Sequence, residues 1–280
     1  MSGPGGDQSW VGQTETRTDT ASAERVRGLR ALLDDAAPDW LPGVLPPLAH
    51  WLHFRPDEPQ SALGLDGHPR HGHDDGLLPP LGLPRRMWAG SRVAFLAPIP
   101  LGAPLTRRTT VRAIAPKTGR TGAMTFVTLL HEIAVGDEPA IREEQDLVFR
   151  EAAMPRVGPS NMLIEDAPSA VDAYSVTPGP VHLFRFSALT FNAHRIHYDR
   201  DYARAVEGYP DLVVQGPYLA TLLLAHAMRR RPDRKVGGFT FQARSPSFAG
   251  RRVDLIGDGD RLEARTSAGL VCTTATVSGA

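Results

Sequence analysis

Apolar positions along this chain recur with two periods, and the switches between them mark out its elements. Between Thr20 and Asp35, Val26, Leu29, Leu32 and Leu33 recur at helical spacing, with Thr20 or Ser22 placed to cap the helix. Residues 1–18 are polar and Gly-rich and predict no regular structure apart from an anchoring Trp10. Residues 38–86 are rich in Pro and Gly, with Pro-Pro pairs at 46–47 and 79–80, and predict long irregular connections around one short segment, Leu48–Phe54. From Val93 the period falls to two. Val93, Phe95, Ala97 and Ile99 alternate, as do Thr109, Val111 and Ala113. The run from Met124 to Ile133 is apolar on both faces, as an interior strand would be, and residues 141–150 predict one more strand.

The second half repeats this plan. Residues 151–180 carry Pro155, Pro159, Pro168, Pro178 and Pro180 and read as a linker. Leu219, Leu222, Leu223 and Ala227 mark a helix over Gly216–Arg230, entered through Gln215-Gly216-Pro217 and ended before Pro232. Strand-like runs follow at Gly238–Phe248, Arg251–Ile256, Arg261–Arg265 and Leu270–Ser278. Each half therefore holds one helix and then several antiparallel strands. The expected architecture is α+β, a double hot dog in which two antiparallel sheets each wrap a central helix. Its parts are an N-terminal domain over 1–150, the linker over 151–180 and a C-terminal domain over 181–280.

Composition narrows the function. The 280 residues carry 31 basic and 31 acidic side chains, with no long basic run, which argues against nucleic acid or a membrane surface as the partner. No apolar stretch reaches the roughly 18–20 residues needed to span a bilayer. The N-terminus lacks the basic start and apolar core of a signal peptide. A single cysteine, Cys272, excludes an internal disulfide framework and fits a reducing, cytoplasmic setting.

Chemistry concentrates between Phe184 and Tyr202, where Asn192, His194, Arg195, His197 and Asp199 fall within eight residues. So many polar groups are costly to bury, and such density marks a site. His197 lies in a non-periodic turn upstream of the helix that opens at Gly216. A helix N-terminus presents backbone N–H groups to a carbonyl oxygen gaining negative charge. A base beside such a donor is the minimum equipment for proton chemistry next to a thioester carbonyl.

The run Phe186–Asp199, with Asp201-Tyr202-Ala203 after it, resembles the hydratase motif of MaoC-like (R)-specific enoyl-CoA hydratases. That motif runs Ser-Gly-Asp, one residue, Asn-Pro-hydrophobic-His, one residue, Asp. The resemblance extends over residues 180–280, including Gly216-Pro217-Tyr218, Ser245-Pro246 and Gly250. It places the family's catalytic histidine on His197 and its trailing Asp on Asp199. Asn192 stands where the family has its catalytic Asp, and His194-Arg195 where it has Asn-Pro. The variant Leu-Thr-Phe-Asn-x-His-Arg-Ile-His-Tyr-Asp is similar to the mesaconyl-C4-CoA (3-methylfumaryl-CoA) hydratase branch, whose neighbours act on itaconyl-CoA. The resemblance implies a cofactor-free, metal-free hydro-lyase acting on an acyl-CoA thioester, and a homodimer. His197 would be the base, Asn192 would hold the water and the Gly216 amide would hold the thioester oxygen. Tyr198 and Gln215 would line the substrate.

Two roles stay open for His194, which either supplies the proton work that an amide at 192 cannot perform or braces the turn. Arg195 either recognises a second carboxylate on the substrate or pairs with Asp199. Dehydration of a 3-hydroxyacyl thioester and a non-catalytic thioester-binding subunit are the rival functions. His68, His71, His73, Asp74 and Asp75 have the composition of a metal tract, but lie in the Pro/Gly-rich insertion and read as a solvated loop. His194 and His197 show no third metal ligand in the sequence.

Overall fold

The computed structural model describes residues 8–70, 76–119, 122–151 and 173–279. Ten strands form one antiparallel sheet: β1 (Thr14–Thr20), β2 (Arg85–Phe95), β3 (Pro104–Gly119), β4 (Gly122–Val135), β5 (Glu138–Arg150), β6 (Tyr174–Val176), β7 (Val236–Ala243), β8 (Val253–Asp258), β9 (Arg261–Thr266) and β10 (Val271–Gly279). Their order across the sheet is β1-β3-β4-β5-β2-β7-β10-β9-β8-β6. The two expected sheets are thus the two halves of one, joined edge to edge where β2 pairs with β7 from Gly90↔Gln242 to Ala94↔Gly238. Such a seam leaves neither half with an unpaired edge at the middle of the molecule.

Four helices complete the described fold: α1 (Ala23–Leu33), α2 (Pro180–Thr190), α3 (Arg200–Ala205) and α4 (Gly216–Arg230). Ser22 caps α1 by accepting from the Arg25 amide. α4 is buried without a break from Tyr218 to His226 and packs against β7, β8, β9 and β10 of its own half and against β2 of the other. Leu219, Leu222, Leu223 and Leu224 join Phe239, Phe241, Leu255 and Val277 in the main core, which also takes in Leu29, Leu32 and Leu33 of α1. Each such leucine contributes about 1.5–3 kcal/mol by leaving water.

Three expectations need correction. Residues 14–20 are not irregular: β1 pairs along its whole length with β3, Thr14↔Thr110 to Thr20↔Pro104. Its run Thr-Glu-Thr-Arg-Thr-Asp-Thr carries no apolar face, so the backbone ladder alone reveals it. The described part of the expected linker holds β6, a three-residue edge strand on β8. Residues 152–172 lie outside the described residues. The stretch ahead of the histidines is α2, whose helical face Leu183, Phe186 and Ser187 is blurred in sequence by the exposed Val181 and Phe184.

β4 is interior, but its buried face is one-sided. Val127, Leu129, His131 and Ile133 point inward, while Phe126 meets the Lys117 ammonium at 4.6 Å on the other face. A polar band crosses the inward face between two apolar clusters, made of Arg107 and Thr109 on β3, His131 on β4, and Glu143 and Gln145 on β5.

Gly90 tests the seam. A Cβ there would stand 2.4 Å from the Phe241 carbonyl oxygen, a backbone atom that cannot swing aside. Gly90→Ala is expected to destabilise the fold by about 1–3 kcal/mol. Thermal unfolding monitored by circular dichroism checks this; an unchanged melting temperature would show that the seam gives way at little cost.

Candidate active site

The His-rich loop is set by the end of α2. Phe191 closes the helix in the left-handed region at φ 54°. The Asn192 amide donates to Ser187 O at 2.9 Å. The Asn192 side-chain oxygen then accepts from the His194 amide at 3.1 Å, turning the chain inward. A 3-10 turn over Arg195–His197 follows, and Asp199 caps α3 by accepting from the Tyr202 amide at 2.9 Å. Both His194 and His197 are buried, with their rings in edge contact at 5.4 Å.

His197 carries the defining bond. Its Nδ1 lies 2.7 Å from the Val213 carbonyl, which can only accept, so Nδ1 holds the hydrogen and Nε2 keeps a lone pair. Val213 in turn donates to Ile196 O at 3.0 Å. Burial pushes the His197 pKa down to about 4, so its ring is neutral at physiological pH. His194 is shifted in the same direction by burial and by the neighbouring His68 and His197.

The insertion that reads as a solvated loop is part of this site. Gly67 approaches the histidine loop so closely, at φ 88°, that a Cβ would fall 1.9 Å from Ala193 O. The Arg195 amide donates to Asp66 O at 2.9 Å, and Arg195 Nη1 donates to Leu65 O at 3.0 Å. These contacts place His68 against His194, with ring centroids 4.1 Å apart, while Asp66 bonds His68 Nδ1 at 2.9 Å. Asp66, His68 and His194 bring donor atoms within 4.8 Å of one another, a grouping that does not include His197. The Asp66–His68 hydrogen bond already engages two of those groups. His71, His73, Asp74 and Asp75 lie outside the described residues.

A cavity of about 1250 Å³ opens on this loop and runs along the inward face of both half-sheets. That exceeds the roughly 300–1,000 Å³ of common small-ligand pockets and suits a long substrate. Asn192, His194, His197, Tyr198, Gln215 and Gly216 all line it. Gly216 opens α4 with no side-chain cap on the helix, and since Pro217 has no N–H, the first-turn donors offered to a ligand are the Gly216 and Tyr218 amides. Gln215 is buried and donates to Leu183 O at 2.9 Å and Ser187 Oγ at 3.0 Å, tying α4 to α2. Tyr198 is half exposed, its hydroxyl donating to Ala193 O at 3.1 Å.

Arg195 is placed differently from the other candidates. Its guanidinium donates to Asp199 Oδ2 at 2.7 and 3.1 Å, lies 4.1 Å over the Tyr202 ring and does not line the cavity. Its donors brace the loop, and of the two roles open to it the structure shows the pair with Asp199. The far wall carries the polar band. There, burial would raise the pKa of Glu143, yet the hydrogen bond and charge of His50 hold it down at about 2, and Trp51 also donates to it.

The comparisons with known proteins fit this geometry. Residues 48–249 match the family model described as hydroxyacyl-thioester dehydratase type 2. The chain belongs to that family. It is an enzyme of the hydratase and dehydratase class acting on acyl thioesters. It is 42% identical over 274 residues to the mesaconyl-C(4)-CoA hydratase of Chloroflexus aurantiacus, covering 96% of each chain. Among solved structures it is similar to HtdX of Mycobacterium tuberculosis, with a TM-score of 0.64 and 16% identity over 96% of this chain and all of that one. A second Mycobacterium tuberculosis protein, described as having a double hotdog fold, matches with a TM-score of 0.59 and 14% identity over 96% of each chain. The double hot dog expected from the sequence is the fold of this enzyme. No described helix is long and apolar enough to cross a membrane.

The depressed His197 pKa predicts an unusual pH profile. With the working form neutral down to about 4, kcat/KM should hold through pH 5.5 and fall only near pH 4. The unfolded chain takes up this proton at 6.5 and the folded chain at about 4, so acidification through that window also favours unfolding. Steady-state rates read alongside circular dichroism at each pH check it; an acid limb centred at 6.5 with the fold intact would contradict the assignment.

Proposed function

We propose that this enzyme reversibly hydrates 3-methylfumaryl-CoA (mesaconyl-C4-CoA) to citramalyl-CoA. The observation that carries the substrate is the 42% identity, over 96% of both chains, to the mesaconyl-C(4)-CoA hydratase. The site geometry supports the chemistry. His197 Nε2, unprotonated because Nδ1 donates to Val213 O, takes a proton from water. The water oxygen bonds to the β-carbon, and the electron pair of the double bond moves onto the thioester as an enolate. The amide at Gly216, at the positive end of α4, stabilises the oxygen that gains this charge. Asn192 keeps its oxygen on the His194 amide and uses its NH2 group to hold the water. The proton on His197 then passes to the α-carbon, which closes the balance. His194, in edge contact at 5.4 Å, keeps the His197 ring in place.

Run backwards, the same steps dehydrate a 3-hydroxyacyl thioester. The family match makes that the second reading. Substrate choice separates the two. Loss of enoyl-thioester absorbance on 3-methylfumaryl-CoA, itaconyl-CoA and crotonyl-CoA should show preference for the first. Turnover confined to unsubstituted enoyl chains would move the function to the dehydratase reading. His197→Ala is expected to lower kcat by about 10²–10⁴-fold with the thermal transition retained. A folded variant at near-full rate would remove His197 from the mechanism.

A further inference from the structure

Two arginines begin β2, and the protein uses only one of them. Arg85 is buried and paired with Glu207 at 3.1 Å, its Nη2 donating to Val206 O. Arg86, opposite Phe149 on the inward face, lines the cavity with Trp88. No hydrogen bond or ion pair engages its guanidinium among the described residues. Asp66 and Glu58 act on it only through their charge, and its own charge reaches His194. Arg86 is half-buried, and a guanidinium partly withdrawn from water without a partner gains from a ligand that supplies one.

We propose that Arg86 is the subsite for a free carboxylate on the acyl group, so that the cavity selects dicarboxylic acyl thioesters. This rests on the hydratase reading of the same site and adds to it the residue that sets specificity. In 3-methylfumaryl-CoA the carboxylate is attached to the β-carbon, the atom that water attacks. Its receptor must therefore stand in the same cavity as His197, which Arg86 lines and where its charge reaches His194. A planar guanidinium fork holds a carboxylate through two hydrogen bonds and fixes the rotation of the attached carbon. Arg195 has that fork closed by Asp199. Arg107 is the rival. It sits over Phe54 at 4.8 Å, its Nε is buried without a partner, and it shares the polar band with Glu143.

The test is a ratio. Wild type, Arg86→Gln, Arg86→Lys and Arg107→Gln are assayed on 3-methylfumaryl-CoA and on crotonyl-CoA, which lacks the carboxylate. Arg86→Gln is expected to lower the ratio of kcat/KM values, carboxylated over uncarboxylated, by about 100-fold, and Arg86→Lys by about 10-fold. A ratio unchanged in folded Arg86→Gln, or one that collapses in Arg107→Gln alone, overturns the assignment. Wild-type inhibition by the saturated analogues gives a reading independent of folding: succinyl-CoA should bind at least about 10-fold tighter than butyryl-CoA. Equal inhibition overturns the carboxylate subsite. A wild-type enzyme that hydrates crotonyl-CoA but not 3-methylfumaryl-CoA overturns the substrate reading itself, whatever the variants do.

Discussion

Everything about the site depends on the pairing of β2 with β7. Five residue pairs join the half-sheets there, and Gly90 lets the strands close to a distance that no side chain would permit. The seam is packed from the inside by Trp88, Trp51 and Phe241, with ring centroids 5.1 to 6.1 Å apart. Because the sheet is continuous, the cavity floor is continuous too. One half supplies Arg86, Arg107 and the polar band, and the other supplies α4 and the histidine loop. Both halves therefore line one cavity. On the proposed reading the half that lacks the hydratase motif supplies the groups that recognise the substrate.

Burial settles the electrostatics of this cavity in one direction. It penalises the charged forms of His131 and His197, which stay neutral down to about 4. It would penalise Glu143 equally, but His50 and Trp51 compensate that anion locally. Arginine cannot escape by deprotonating at working pH. Even with its pKa pushed down to about 10 by burial, Arg86 keeps its charge. The cavity thus combines neutral histidines, a Glu143 carboxylate compensated by His50 and Trp51, and the charged guanidinium of Arg86.

The elements that could be read from the sequence are those whose apolar pattern is set by one buried face. α4 reads without error because nine consecutive buried residues sit between a Gly-Pro entry and Pro232. The long strands β3, β4 and β5 read for the same reason. β1 and β6 did not, since an edge strand held by backbone bonds needs no apolar code. The motif histidines were legible because they cluster locally. Asp66 and His68 were not: the contact that brings them in, Leu65 O to Arg195, spans 130 residues. The sequence leaves Arg195 open between a ligand carboxylate and Asp199, and its bond to Asp199, one helical turn away, is the second of those alternatives.

The amide at 192 now has a physical account. In the hydratase motif that this loop resembles, that position carries an acid. With an acid at 192, a substrate carrying a carboxylate on its β-carbon would bring two negative charges close together in one partly buried cavity. Like charges so placed cost several kcal/mol or force one group to take a proton. Asparagine keeps the shape, keeps the oxygen that accepts from the His194 amide and removes the charge. On the proposed mechanism the proton work rests on His197, whose neutral ring is suited to it. Asn192 and Arg86 would then be two sides of one adaptation, the first withdrawing an anion from the site and the second offering a cation to the anion that arrives with the substrate.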